Sequence, residues 1–227
     1  MGRCVETGNV KPIATIHYAG DSTVQFNCMD SYPQTGLGQI LPRFLKEEYP
    51  VKNHGKNGRS TKSFIDEGRL AVVYDQITEG DFLFMQFGHN DEKEVDPARY
   101  TRPDVEYKEN LKKMINVATN KKAHPVLITP IERCHFENGK LYEGEHGPYV
   151  KAMLEVAAET NTPVIDLNAM TRSVMGELGE EKSLTLYMPD GTHMTQEGAV
   201  QYGYCLAEGL KALGGIYKDM LIDEVAN

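Results

Sequence analysis

Residues 81–87 read Asp-Phe-Leu-Phe-Met-Gln-Phe, a run that is apolar at consecutive positions rather than at every second one. A strand with one wet face alternates, whereas a continuous apolar strand must be covered on both sides. Strands of that kind belong to parallel sheets, whose long crossovers place helices on each face. The rest of the chain supplies matching pieces. Short apolar runs at Ile13–Tyr18, Val51–His54, His124–Thr129 and Pro163–Leu167 are further strand candidates. Between and after them lie amphipathic stretches at Gly36–Glu48, from Ser60 through Arg69, Asp104–Thr119, Gly147–Thr160 and Thr195–Leu213, with more helix expected between Leu70 and Thr78. Pro50 marks a helix stop, and Ser60 and Thr195 are suitable N-caps. Right-handed crossovers between these strands predict a three-layer α/β/α sandwich with a five-stranded parallel sheet, of the flavodoxin-like type.

The 227 residues suit one domain spanning 1–227, large enough to bury a core without disulfide staples. No internal repeat or linker divides them. A formal charge of −9 argues against a nucleic-acid partner. The paired lysines at 112–113 and 121–122 read as solvated helix positions. No run approaches the roughly 20 apolar residues of a membrane span. Cys4, Cys28, Cys134 and Cys205 lie far apart without a CxxC pair and read as free thiols. The first residues lack the apolar core of a secretion signal, so the expected location is cytoplasmic, or secreted if a signal has been cleaved from a longer precursor. Oligomeric state is not legible.

In parallel sheets, ligands bind beyond the carboxyl ends of the strands. Four polar segments are expected there or immediately before the last helix. Gly20-Asp21-Ser22 breaks the first strand and displays a hydroxyl that, given a base, is a nucleophile. Asn57-Gly58-Arg59-Ser60 follows the second strand, and Gly58 would let a backbone N–H approach a ligand closely. Gly88-His89-Asn90-Asp91 follows the third strand, with the Asn90 amide as a further donor. Asp190-Gly191-Thr192-His193 places a carboxylate three residues before an imidazole that it can orient. Taken singly, each is also an ordinary turn, cap or polar loop.

Together, and in this order, the segments resemble the blocks of SGNH (GDSL-like) hydrolases: GDS at Gly20–Ser22, Gly58, G-x-N at Gly88–Asn90 and D-x-x-H at Asp190–His193. GDSTV, NGRSTKSFIDEGR, FGHND and DGTH, with the stretches Thr129–Tyr149 and Ile165–Asn168, look like the rhamnogalacturonan acetylesterase branch. Thr23 stands where the name-giving motif has Leu, as is common in that branch. The resemblance implies a serine esterase with a Ser22, His193 and Asp190 triad. Its oxyanion would be held by the N–H groups of Ser22 and Gly58 and by the Asn90 side chain, with no cofactor or metal. The implied substrate is an acetylated pectin-derived oligosaccharide, imported if the cytoplasmic expectation holds. Alternatives are acetylated xylan fragments or other sugars, a general short-chain ester, or a carbohydrate-binding protein on an inactive esterase scaffold.

Arg133, His135, Tyr142 and His146 fall in a long polar segment after the fourth strand and are candidates for sugar contacts. His17 reads as a satisfied core histidine. His54, His89, His135 and His146 lack the spacing of a metal motif. No phosphate loop or dinucleotide turn accompanies the fold class.

Overall fold

The protein is described here from a computed structural model covering residues 11–142 and 146–226. Strands β1 (Ile16–Gly20), β2 (Val51–Asn53), β3 (Phe82–Gln86) and β4 (His124–Ile128) form most of one sheet. With a later strand at Val164–Ile165 the order is β2, β1, β3, β4 and that edge strand, all parallel. The five-stranded parallel sheet expected from the sequence is therefore present.

Residues 82–85 are apolar at every position because β3 faces two cores. Phe82 and Phe84 join Ile16, Tyr18, Val126 and Ile128 on one side, and Leu83 and Met85 join Ala19 and Leu127 on the other. The first core is covered by helix α1 (Leu37–Ile40) and by two later helices at Leu167–Thr185 and Gln196–Leu213. The second is covered by α2 (Thr61–Asp66), α3 (Arg69–Gln76), α4 (Lys108–Asn120) and α5 (Gly147–Thr160). A small antiparallel hairpin, β5 (Phe136–Glu137) and β6 (Lys140–Leu141), rises after β4. The edge strand is β7, and the two remaining covering helices are α6 (Leu167–Thr185) and α7 (Gln196–Leu213).

Several boundaries differ from the sequence expectation for identifiable reasons. The helix expected at Gly36–Glu48 is only α1 plus a 3₁₀ turn at Leu41–Phe44. Pro42 has no N–H to continue the α ladder. Ser60 does cap α2, in a reciprocal box with Ser63, but Gly68 in the left-handed region separates α2 from α3. The fifth strand is shorter than Pro163–Leu167 because Asp166 caps α6, accepting from Ala169 N–H at 3.1 Å. Cys28, Cys134 and Cys205 are free thiols, and Cys4 lies outside the described residues.

His17 is a core histidine with partners. Its Nδ1 lies 3.0 Å from His54 Nε2, the rings stack at 5.2 Å, and Asp81 Oδ2 lies 3.7 Å from its Nε2. Asp81 also accepts from Thr15 N–H at 2.7 Å, which ties β1 to the entry of β3. Burial, then the charges of His17 and Lys52, push the His54 pKa down from 6.5 to about 4. The native state thus refuses a proton that the unfolded chain accepts near 6.5. Stability from this group is complete above pH 6.5 and is lost as pH falls toward 4. His54→Gln should therefore flatten the fall in unfolding midpoint across that window, measured by thermal melts at stepped pH. An unchanged slope would assign the acid sensitivity elsewhere.

Candidate active site

β1 ends at Gly20 because the chain must turn where it also touches β3. A Cβ on Gly20 would lie 2.4 Å from Val24 Cγ2 and 2.9 Å from the Gln86 carbonyl, so only glycine fits. The next residue, Asp21, is buried. Its Oδ1 accepts from both the N–H and the hydroxyl of Thr23 at 2.8 Å, and its carbonyl accepts from Gln25 N–H at 3.0 Å. Asp21 therefore caps a single tight turn. That turn leaves the Ser22 N–H without an acceptor among the described residues, as at any helix start.

Ser22 is 8% exposed, and its Oγ lies 2.8 Å from His193 Nε2. His193 Nδ1 lies 2.6 Å from Asp190 Oδ2, while Asp190 Oδ1 accepts from the N–H groups of Thr192 and His193, each at 2.9 Å. Partial burial raises the Asp190 pKa, but the bonds from His193 and Thr192 outweigh it and hold the carboxyl below its ordinary value. The loop that carries both residues is closed by Met188 N–H to the His193 carbonyl at 2.7 Å. It is anchored by Cys134 N–H to the Gly191 carbonyl at 2.8 Å. Thr195 then caps α7, accepting from Gly198 N–H at 3.2 Å.

The two further segments are tied to the same turn. Lys56 N–H donates to the Gly20 carbonyl at 3.0 Å and Asn57 N–H to Gln25 Oε1 at 2.6 Å. These bonds hold Gly58, at φ +75°, beside the Ser22 turn, and its N–H also has no acceptor among the described residues. Asn90 is buried and donates from Nδ2 to the Arg59 carbonyl at 3.2 Å, leaving its other amide hydrogen unspent. Asp91, which no motif reading had assigned, pins Asn90. Its carboxylate accepts from Thr61 N–H at 3.0 Å, at the start of α2, and from the Thr101 hydroxyl at 2.9 Å. The structure thus gathers Ser22, Asp190, His193, Gly58 and Asn90 at the carboxyl end of the sheet.

The four candidate sugar contacts divide. Arg133 bonds Glu92 Oε1 at 2.6 Å and the Thr192 hydroxyl, next to the triad loop. Arg133 and His135 line a cleft of about 400 Å³ together with Pro189, Asp190, Gly191 and Thr192. Tyr142 does not line this cleft; its ring lies 5.1 Å from that of His135 and its N–H donates to the His135 carbonyl at 2.8 Å. His146 must be corrected: it is 0% exposed and cannot touch a sugar. Its Nδ1 lies 2.7 Å from Glu92 Oε2 and its ring 4.3 Å from that of His89, which in turn lies 3.6 Å from Asp21 Oδ2. Burial, then the neighbouring His146, pushes His89 down to about 4. Among the described residues no cluster of three metal-ligating side chains forms. A larger cavity of about 500 Å³ between α5 and α6 contains no triad residue.

Comparison with known proteins gives consistent likenesses. The GDSL-like Lipase/Acylhydrolase family model matches residues 18–200. "Probable rhamnogalacturonan acetylesterase YesY" of Bacillus subtilis is 43% identical over 214 residues, covering 92% of this chain and 98% of that protein. "Rhamnogalacturonan acetylesterase RhgT" of the same organism is 39% identical over 227 residues, covering 93% and 95%. The crystal structure of protein YxiM from Bacillus subtilis superposes with a TM-score of 0.80 at 29% identity, covering 89% of this chain and 57% of that one.

His146→Ala should act on stability rather than on binding. Losing a buried partner of Glu92 costs about 1–3 kcal/mol, which in a chain of this size lowers the melting temperature by several degrees. KM for an acetylated oligosaccharide should stay within about twofold. A raised KM at an unaltered melting temperature would make His146 a substrate contact after all.

Proposed function

Because the chain belongs to the GDSL-like lipase/acylhydrolase family, we propose that it removes O-acetyl groups from pectin-derived, rhamnogalacturonan-type oligosaccharides through a Ser22, His193 and Asp190 triad. One observation carries the mechanism: Oγ, imidazole and carboxylate stand in line at 2.8 Å and 2.6 Å, beside unspent hydrogen-bond donors.

His193 Nε2 takes the proton from Ser22 Oγ as Oγ attacks the acetyl carbonyl carbon. The C=O π pair moves to oxygen, and the resulting anion is met by the N–H groups of Ser22 and Gly58 and by the free Asn90 amide hydrogen. Asp190 holds the imidazole through Nδ1 and stabilises its charged form, with the low carboxyl pKa keeping it ionised. The tetrahedral centre then expels the sugar oxygen, which takes the proton from His193, leaving acetyl-Ser22. Water repeats the sequence and releases acetate. No step calls for a metal or organic cofactor. The identities of 43% and 39% to the two Bacillus subtilis proteins support the acetylated pectin fragment as substrate. The cleft lined by Arg133 and His135 opens beside the imidazole loop, where an oligosaccharide would have to lie.

Ser22→Ala should lower kcat for acetate release by several orders of magnitude, since losses of about 10⁶ accompany removal of such a nucleophile. Acetate release from acetylated rhamnogalacturonan fragments should exceed that from acetylated xylan fragments in kcat/KM. The reverse order would move the substrate assignment, and activity retained by Ser22→Ala would remove the serine mechanism. A chain that neither releases acetate nor reacts with a fluorophosphonate would be a binding protein on this scaffold.

A further inference from the structure

We propose that Arg99 is a positioning residue for the Asn90 amide, fixing and polarising the side-chain donor of the oxyanion site; this rests on the role given to Asn90 above. Arg99 belongs to no recognised motif and lies nine residues beyond Asn90 on the loop that leaves β3. Its Nη1 donates to Asn90 Oδ1 at 3.3 Å, and its Nε donates to Asp96 Oδ2 at 2.6 Å. Both side chains are 31% exposed, so the pair sits at the rim rather than in bulk water.

The geometry matters because a carboxamide is planar and nearly symmetric in shape. Held only by Nδ2 on the Arg59 carbonyl, it could rock about that one bond. A second bond at the opposite end, on Oδ1, fixes the plane and so fixes the direction of the remaining N–H. A charged donor on Oδ1 also draws electron density from the amide, which strengthens the hydrogen bond that its N–H gives. The guanidinium borders the backbone donor as well, since a Cβ built on Gly58 would lie 3.6 Å from Arg99 Nη1. Arg99 is ion-paired with Asp96, so it acts on Asn90 through the local field of Nη1 on Oδ1. An oxyanion forming there needs positive potential on the donor side. Lysine cannot substitute: a point charge on a flexible stem cannot span Asp96 and Asn90 together.

The test uses an aryl acetate, whose small leaving group makes no sugar contacts, and compares Arg99→Ala, Arg99→Lys, Asn90→Ala and the double Asn90→Ala/Arg99→Ala variant. Arg99→Ala should lower kcat by about 10- to 100-fold, no more than the roughly 10²–10³ of removing an oxyanion donor outright, with KM changed by less than about twofold. Arg99→Lys, which keeps the stem and charge, should lose somewhat less and serves as the test if the alanine variant fails to fold. In the Asn90→Ala background, loss of Arg99 should add no more than about twofold, because its route of action is already gone. Guanidinium ion in solution should restore part of the activity of Arg99→Ala and none of that of the double variant. A full additive loss in the Asn90→Ala background, or an unchanged kcat in both single Arg99 variants, overturns the inference while leaving Asn90 in place. An unchanged kcat in Asn90→Ala overturns the oxyanion assignment itself, and this inference with it.

Discussion

The contact between Ser22 Oγ and His193 Nε2, 2.8 Å long, joins residues 171 positions apart in the chain. No local structure can make such a contact. It exists because β1 lies next to β3 in the sheet, while α7 packs on the β1 face and brings its N-terminal loop back over the carboxyl ends. A sheet of five parallel strands forces every crossover to return to the same end, so each βα loop opens on one surface. The close approach of Gly20 to the Gln86 carbonyl, which no larger residue allows, sets the spacing on that surface. The fold thus gives the site its convergence, and the glycine gives it its scale.

Beneath the triad runs a polar floor whose logic is registration rather than stability. Asp21, His89, His146, Glu92, Arg133 and Thr192 form a chain of neighbours from the nucleophile turn to the imidazole loop. Burying such groups seldom stabilises a protein more than apolar packing would. Here their bonds tie the two halves of the site together, because Glu92 bonds His146 with one oxygen and Arg133 with the other. His89 has ring nitrogens without a hydrogen-bond partner, which accords with its lowered pKa and neutral state. A charged His89 would have to share the space with His146, so neutrality is what lets the two rings pack edge to face.

Much of this was legible in the chain itself, and the failures have physical causes. The apolar run within residues 81–87 showed a two-faced strand, and α5 begins and ends where its periodicity does, at Gly147 and Thr160. The four polar segments were readable because each needs a glycine or a capping side chain at a fixed place. Helix α6 went unread because Gly179, at φ +73°, breaks its pattern midway and its outer face is polar. Pro42 was a visible breaker inside an expected helix, and its missing N–H decided the matter over the apolar face around it. His146 was misjudged because spacing alone does not report burial: the same polar segment sends His135 outward and His146 into the floor. Arg99 lies outside every motif, and Asp91 was quoted within FGHND without a role. What makes them matter is a partner, Asn90 or Thr61, brought close only by the fold.

That difference also separates chemistry from selection within the site. Ser22, Gly58 and Asn90 sit on short loops after β1, β2 and β3, and Asp190 and His193 on the loop before α7, each loop held by bonds to its own backbone. The cleft beside them is built differently. It rests on Arg133 and His135, which lead into the β5–β6 hairpin, and on the outer side of the Asp190 loop. A two-stranded hairpin contributes little rigidity of its own; Phe136 and Leu141 seat it on the first core, and the residues before it reach the Asp190 loop through the Cys134 to Gly191 backbone bond and the Arg133 to Thr192 bond. Its exposed residues, such as Glu137 and Lys140, make none of these ties. Residues on the hairpin side of the cleft are thus placed to vary separately from the line of Ser22, His193 and Asp190, whose mutual hydrogen bonds lie outside the hairpin.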